Sequence, residues 1–319
     1  MRGKKSIIKL TALVLSMLVL GGGNIVQAKQ KENKLHEKTR QAIAEFPSLE
    51  KHLKKNTNGK LLKSTDHYFK LVPKAEVKDI NLEESHNSNM AIVTPKLKKA
   101  ADDANYAFVP VTEEEYNSVD VKGEKSSSDT GNDRGMQSLA SSVIGPDGNQ
   151  NSDYWMRLSL QVYQGVDASS FTAYNFWQWK TLPLFTMDDS AFITTDSALI
   201  VHSKNPDPMA DYYADFYIAG TLWRTDIGST STAMGKHGVQ GKHNLFTDDN
   251  YRNHRGVVAC NFEFSNKSNH QTANFWGQYF HKEIGFGDVS IDAEGLPSIS
   301  ASAIVDESNT ARVGVEYWP

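Results

Sequence analysis

The chain has 319 residues, of which 34 are basic, 38 are acidic and one is a cysteine. This length is enough for one good-sized hydrophobic core with extensions. A single cysteine excludes an intramolecular disulfide. The net charge is −4, and the acidic excess lies in the main body of the chain, which argues against a nucleic-acid-binding protein because phosphate contacts need clustered lysine and arginine.

The first 28 residues have the pattern of a secretory signal peptide. Four basic residues precede an apolar run over residues 10–20, and three glycines follow it. Val26-Gln27-Ala28 places suitable residues at the positions that signal peptidase reads, so we predict cleavage after Ala28. The alternative is an uncleaved anchor, but an apolar run of about a dozen residues is shorter than the roughly 20 that span a bilayer. We therefore predict a mature chain without a transmembrane segment, secreted or loosely associated with the cell wall.

The mature chain divides into two parts of opposite charge. Residues 29–112 contain 16 basic and 11 acidic residues, whereas residues 135–319 contain 11 basic and 20 acidic residues. This contrast predicts a basic segment at 29–112, either a small α+β unit or a pro-segment removed after export, and an acidic main domain. A basic segment can contact anionic wall polymers, although a solvated helix face is the simpler interpretation.

Elements of the basic segment follow from its apolar spacing. Apolar residues recur at helical spacing from 34 to 55, which predicts one or two amphipathic helices interrupted at Pro47. Short extended segments are predicted at 68–72, 91–94 and 106–111. Residues 113–152 are rich in Ser, Gly, Asp and Asn, and this composition predicts a linker. The segment before it is predicted to be a small α+β unit or partly disordered.

Residues 153–319 contain all six tryptophans and most of the other aromatic residues, so we place the packed domain there. About ten runs of β-branched and aromatic residues, bounded by Gly, Pro, Asn and Asp, predict short strands. Among them are 155–164, 171–179, 221–226 and 256–264. Several alternate between apolar and polar residues, as half-buried antiparallel strands do. The predicted fold is mainly β, an antiparallel β-sandwich or jelly roll.

Catalytic motifs are scarce. The sequence contains no G-x-S-x-G, H-E-x-x-H or C-x-x-C motif. Cys260 lies within an apolar strand, where a buried thiol is the expected state. These features favour a protein without catalytic activity.

The segment from Gly235 to Arg255 is the place where chemistry is expected if there is any. It repeats Gly-Lys-His and then presents two aspartates and a histidine. Imidazoles and carboxylates at this density bind divalent metals or act as acid and base. A predicted loop of roughly thirty residues here is long enough to be functional, although an ordinary exposed loop is the simpler interpretation. The alternative function is a hydrolase that uses a divalent metal held by His237, His243, Asp248 and His254.

Aromatic residues support the preferred function. Strands 171–179 and 212–217 carry rings on both faces, more than one buried face needs. Rings left on a sheet surface can stack on sugars. We therefore predict a non-catalytic extracellular binding module for a glycan, a cell-wall polymer or another surface partner. Its candidate ligand-binding residues are Trp177, Trp179, Tyr213 and Trp223. If these rings only fill the core, a structural secreted protein with a cleaved pro-segment is the alternative.

Overall fold

The computed structural model describes residues 36–76, 106–119, 154–180, 188–248, 250–282, 288–299, 305–308 and 311–318. The chain divides into two compact units, Met1–Glu50 and Lys51–Pro319. The predicted signal peptide, the predicted strand at 91–94 and most of the predicted linker lie outside the described residues.

The helices are few and short. They are α1 (36–45), α2 (Leu49–Asn56), a 3₁₀ turn (Lys74–Glu76) and α3 (Glu113–Ser118). Residues 46–48 are not helical, which confirms the predicted interruption at Pro47. Thr112 begins α3 with a capping box completed by Glu115. Within the described ranges, no helix is long and apolar enough to cross a membrane.

Strands make up most of the described chain. They are β1 (Thr57–Pro73), β2 (Tyr106–Val111), β3 (Tyr154–Gly165), β4 (Ser170–Trp179), β5 (Asp188–Thr195), β6 (Leu199–Val201), β7 (Met209–Ile218), β8 (Thr221–Ile227), β9 (Thr230–Gly235), β10 (Gly238–Asn244), β11 (Tyr251–Phe264), β12 (Gln271–Lys282), β13 (Val289–Ile291), β14 (Pro297–Ile299), β15 (Val305–Glu307) and β16 (Ala311–Tyr317).

Two main sheets form a sandwich. The larger sheet has the order β2-β1-β3-β4-β11-β7-β8, with β6 also paired to β11. The smaller sheet has the order β15-β12-β5-β10-β9, with β16 also paired to β12. A separate two-stranded sheet consists of β13 and β14. The pairings are antiparallel, as between Phe262 of β11 and Phe171 of β4. The predicted mainly β, antiparallel sandwich is confirmed.

Strands from the N-terminal segment belong to the larger sheet. β1 pairs with β3 over most of its length, for example Phe69 with Met156, and β2 pairs with β1. The edge strand of this sheet is therefore β2 (106–111), and β1 (57–73) lies between it and β3. Both belong to the same sheet as the strands that follow residue 153. The predicted domain boundaries at 112 and 152 remain a prediction.

The core lies between the sheets, and it explains part of the aromatic content. On β4, Trp177 belongs to the core cluster, while Tyr174 points to the opposite face. That opposite face is covered in part by α2, whose His52 Nδ1 lies 2.7 Å from the Tyr174 hydroxyl. Both faces of β4 are buried because each has a partner layer.

Candidate binding surface

Two of the predicted ligand-binding rings, Trp177 and Trp179, are almost fully buried. The Trp179 indole Nε1 donates a 2.8 Å hydrogen bond to the Tyr279 hydroxyl. The Trp177 ring centroid lies 5.1 Å from that of Tyr279. Trp177 and Trp179 therefore pack in the core and present no face to a surface ligand. Their predicted position on the surface is corrected.

The other two predicted rings, Tyr213 and Trp223, lie near the edge of the larger sheet. Tyr213 on β7 is buried, contrary to its predicted surface position, and the Arg255 guanidinium carbon lies 6.0 Å from its ring centroid. Trp223 on the edge strand β8 is 68% exposed. Of the four candidates, only Trp223 presents most of its ring to solvent.

The four predicted metal ligands do not share one site. His237 Nδ1 lies 2.6 Å from a backbone carbonyl oxygen, and Asp248 accepts a hydrogen bond from the Asn250 backbone. His243 and His254 lie in the interior. Within the described part of the chain, no group of three or more His, Cys, Asp or Glu residues is arranged to hold a metal ion.

The predicted loop of roughly thirty residues in this region is wrong. Residues 230–235 and 238–244 form β9 and β10, which pair with each other, and β10 also pairs with β5. Glycines, Lys242 and His243 give β10 little apolar content. Gly241 nevertheless packs against Val258 of the facing sheet, so β10 needs a small residue at that position.

His243 and His254 meet at one residue, Tyr212. The His243 ring centroid lies 6.5 Å from that of Tyr212 and 5.1 Å from that of Trp177. His254 Nδ1 lies 2.5 Å from the Tyr212 hydroxyl, which also accepts a hydrogen bond from the Phe246 backbone. We call His243, His254, Tyr212 and Trp177 the histidine cluster.

Burial governs the charge of the histidine cluster. It lowers the pKa of His243 to about 3 and that of His254 to about 4. Backbone groups of Val257 and Tyr251 oppose these shifts at His243 and His254 respectively, but burial outweighs them. Both imidazoles are therefore neutral at pH 7 and closed off from solvent.

Asp189 is a buried carboxylate that the sequence did not reveal. It accepts hydrogen bonds from the Tyr279 hydroxyl and from the Lys282 backbone, and its Oδ1 lies 3.0 Å from His281 Nδ1. Burial, and then the charge of Asp189, raise the pKa of Tyr279 well above its usual value. These partners come from β12, about ninety positions away along the chain, so the carboxylate serves to join β5 to β12.

Cys260 is buried, as predicted. Its thiol donates to the Pro206 carbonyl oxygen at 3.2 Å. Burial raises the thiol pKa above its usual value, which disfavours the thiolate that a nucleophile needs.

Exposed apolar side chains concentrate in one stretch of the chain. Among the described residues, five of the seven exposed large hydrophobic side chains lie between positions 218 and 234. We call these five the apolar flank: Ile218, Leu222, Trp223, Ile227 and Met234. Their exposed fractions run from 43% for Met234 to 71% for Ile227. Single exposed apolar residues are ordinary, but a cluster of them marks an interaction site.

Two turns place the apolar flank on the edges of both sheets. Ala219 and Gly220, with φ of 48° and 75°, form a tight hairpin turn from β7 to β8. Gly228 then leads the chain from β8, at the edge of the larger sheet, to β9, at the edge of the smaller sheet. A Cβ added at Gly228 would lie 2.0 Å from the Tyr212 ring, so only glycine fits this crossing.

The apolar flank contains no unpaired charge. Arg224 and Asp226 are the only charged residues between positions 218 and 235. Arg224 Nε donates to both Asp226 carboxylate oxygens, at 2.8 and 2.9 Å, and its guanidinium carbon lies 4.5 Å from the Phe216 ring centroid. The Tyr251 hydroxyl donates to Asp226 at 2.6 Å, and this bond together with that from Arg224 holds the pKa of Asp226 below its usual value.

Comparison with known proteins adds little. No protein-family model and no curated protein sequence matches the chain. Among solved structures, one described as "pH-induced modulation of Streptococcus parasanguinis adhesion by Fap1 fimbriae" has 12% identity over 50% of this chain and 78% of its own, with a TM-score of 0.22. Clostridium perfringens delta-toxin has 7% identity over 53% and 85%, with a TM-score of 0.19. A structure described as a pore forming protein has 9% identity over 53% and 87%, with a TM-score of 0.23. These scores carry no inference about function.

Proposed function

We propose that this chain is an exported, non-catalytic binding protein that attaches to a cell-surface partner through the apolar flank. The observation that carries the proposal is the concentration of exposed apolar side chains from the end of β7 through the edge strands β8 and β9. Leaving such a cluster in water is unfavourable, and covering it with a partner removes that cost.

An apolar partner surface has more support than a glycan. Trp223 is the only predicted sugar-stacking ring that is largely exposed, and its neighbours Leu222 and Ile227 are aliphatic. Sugar sites combine rings with polar side chains that hydrogen-bond hydroxyl groups. Here Asp226, the nearby carboxylate, is already bonded to Arg224 and Tyr251.

The hydrolase alternative has less support from the described residues. His243 and His254 are buried and neutral, and His237 lies against a backbone carbonyl oxygen. Among the described residues these side chains are not grouped as three or more ligands that a metal ion needs.

Binding to whole cells tests the proposal. The purified chain, fluorescently labelled, is incubated with bacterial and with cultured animal cells, and bound label is measured by flow cytometry. Trp223→Ser combined with Ile227→Ser should weaken binding about tenfold or more. Trp318→Ser is the matched control, because Trp318 is 70% exposed but follows β16, away from the edge strand β9. Equal binding by both variants, or binding to neither cell type, would contradict the proposal.

A further inference from the structure

We infer that the partner of the apolar flank is a lipid bilayer surface, into whose interfacial layer Trp223 and its neighbours insert. This inference rests on the proposed function and specifies the chemistry of its partner. The structure supports it through the faces that the flank exposes, its charges and the backbone of its edge strand.

Exposed side chains lie on both faces of β8, and only Asp226 is partly buried. Leu222 and Ile227 share one face, opposite Tyr217 and Tyr213 of β7, while Trp223 is the extra residue of a bulge. These three apolar side chains are each more than half exposed. A protein partner that docks on one sheet face would cover only part of this set. A bilayer surrounds a projecting edge and covers both faces together.

The charges of the flank are suited to a low-dielectric surface. Arg224 and Asp226 neutralise each other, with Tyr251 as a further partner of the carboxylate. Carrying a paired charge towards the lipid headgroups costs much less than carrying a single charge. Tryptophan also favours the membrane–water interface, where an apolar ring and an N–H group can both be accommodated.

The backbone limits how deeply the flank inserts. In the described chain, β8 pairs on one side only, with β7, and β9 pairs on one side only, with β10. Unpaired backbone N–H and C=O groups need water or another donor or acceptor. The flank as it is folded here is therefore suited to the hydrated headgroup layer and the adjoining ends of the acyl chains.

The charge of the surrounding domain indicates which lipids suit it. Residues 135–319 carry 11 basic and 20 acidic residues, and an anionic surface repels such a domain. A zwitterionic phosphatidylcholine surface leaves only the apolar contact. Binding through the flank should therefore be at least as strong to phosphatidylcholine as to anionic vesicles, whereas binding through the basic segment 29–112 would show the opposite preference.

The experiment is co-sedimentation of the purified chain with phosphatidylcholine vesicles, repeated with vesicles containing one-third phosphatidylglycerol. We expect wild-type chain to sediment with phosphatidylcholine, and Trp223→Ser with Ile227→Ser to lower the partition coefficient about tenfold or more. Trp318→Ser and Val166→Ser, both at exposed apolar positions outside the flank, should bind as wild type. Brominated lipid should quench tryptophan fluorescence in wild type and much less in the flank variant. Circular dichroism melting checks that each variant is folded.

Other outcomes overturn the inference and separate it from the proposed function. If Trp223 is needed for binding to cells but the chain does not sediment with either vesicle, the partner is a surface protein. If the chain sediments only with anionic vesicles and the flank variant sediments equally, the basic segment is the lipid-binding element. If the flank variant binds cells and vesicles as well as wild type does, the proposed function is wrong as well.

Discussion

The Tyr212 hydroxyl lies 2.5 Å from His254 Nδ1, in the core between the two sheets. Tyr212 also packs against His243 and, through its carbonyl oxygen, accepts the backbone hydrogen bond of Gly228. One residue thus connects the buried histidines with the turn that leads from β8 to β9. Conditions that disturb the histidine cluster should therefore disturb the base of the apolar flank.

Acid should destabilise the fold through the histidine cluster. The folded-state pKa values of His243 and His254, about 3 and about 4, lie below the ordinary 6.5, so the unfolded chain binds more protons below pH 6.5. Their stabilisation is fully present above pH 6.5 and is lost progressively as the pH falls towards about 4 for His254 and about 3 for His243. Between pH 7 and pH 5 we expect urea unfolding to show a loss of roughly 2 kcal/mol for each histidine.

Replacing one imidazole isolates this effect. His243→Leu removes a titrating group, so its stability should fall less steeply between pH 7 and pH 5 than that of wild type. His52 and His67, whose pKa values burial also lowers, contribute equally to both proteins. Glu263 acts in a lower range: burial opposes the shift, but bonds from Lys267 and Ser203 lower its pKa from 4.5 to about 2. Identical slopes in the two proteins would show that His243 is not buried and neutral.

Replacing a buried tryptophan should lower the free energy of unfolding much more than replacing an exposed one. Trp177→Ala removes a buried ring and should lower the free energy of unfolding by about 3–5 kcal/mol. Trp223→Ser changes an exposed edge position and should stay within about 0.5 kcal/mol of wild type. Urea denaturation measures both values, and a large loss in Trp223→Ser would place that ring in a packed environment.

Gly228→Ala should distort the crossing between the sheets. The new methyl group would lie 2.0 Å from the Tyr212 ring, and we expect a loss of about 1–3 kcal/mol together with weaker binding to cells. Gly314→Ala is the control, because its Cβ would come no closer than 3.3 Å to its neighbours. Equal melting temperatures for the two variants would argue against close packing of Gly228 on Tyr212.

Cys260 should be unreactive in the folded chain. Burial raises its thiol pKa, and the thiolate is the reactive form. Ellman's reagent should label Cys260 only after denaturant is added, whereas an introduced Ser229→Cys on the exposed turn should react at once. Rapid labelling of the wild-type chain without denaturant would contradict the buried position.

Local sequence patterns were enough for the fold class. Alternation in 256–264 and the aromatic run in 171–179 both predicted strands that the structure contains. Local patterns failed to predict strands that depend on contacts with residues far away along the chain. β5 begins with Asp188 and Asp189, and the buried Asp189 depends on Tyr279 and His281 from a distant strand. The glycines of β9 and β10 likewise made two strands resemble a loop.

The candidate site was only partly predictable, because exposure depends on a strand's place in its sheet. Trp177 and Trp223 both lie in short aromatic strands, and nothing in their local sequence separates them. β4 is central and covered on both faces, whereas β8 is the last strand of the described sheet. Strand order, which sequence alone did not reveal, therefore decides which ring is available to a partner.

Amide hydrogen exchange of the chain bound to washed cell envelopes tests the central claim most directly, since it locates the covered surface without any substitution. Peptides that cover residues 218–235 should exchange more slowly in the bound chain than in the free chain, while the peptide over 311–318 should be unchanged. Unchanged exchange over 218–235, with protection elsewhere, would contradict the assignment of the apolar flank as the binding surface.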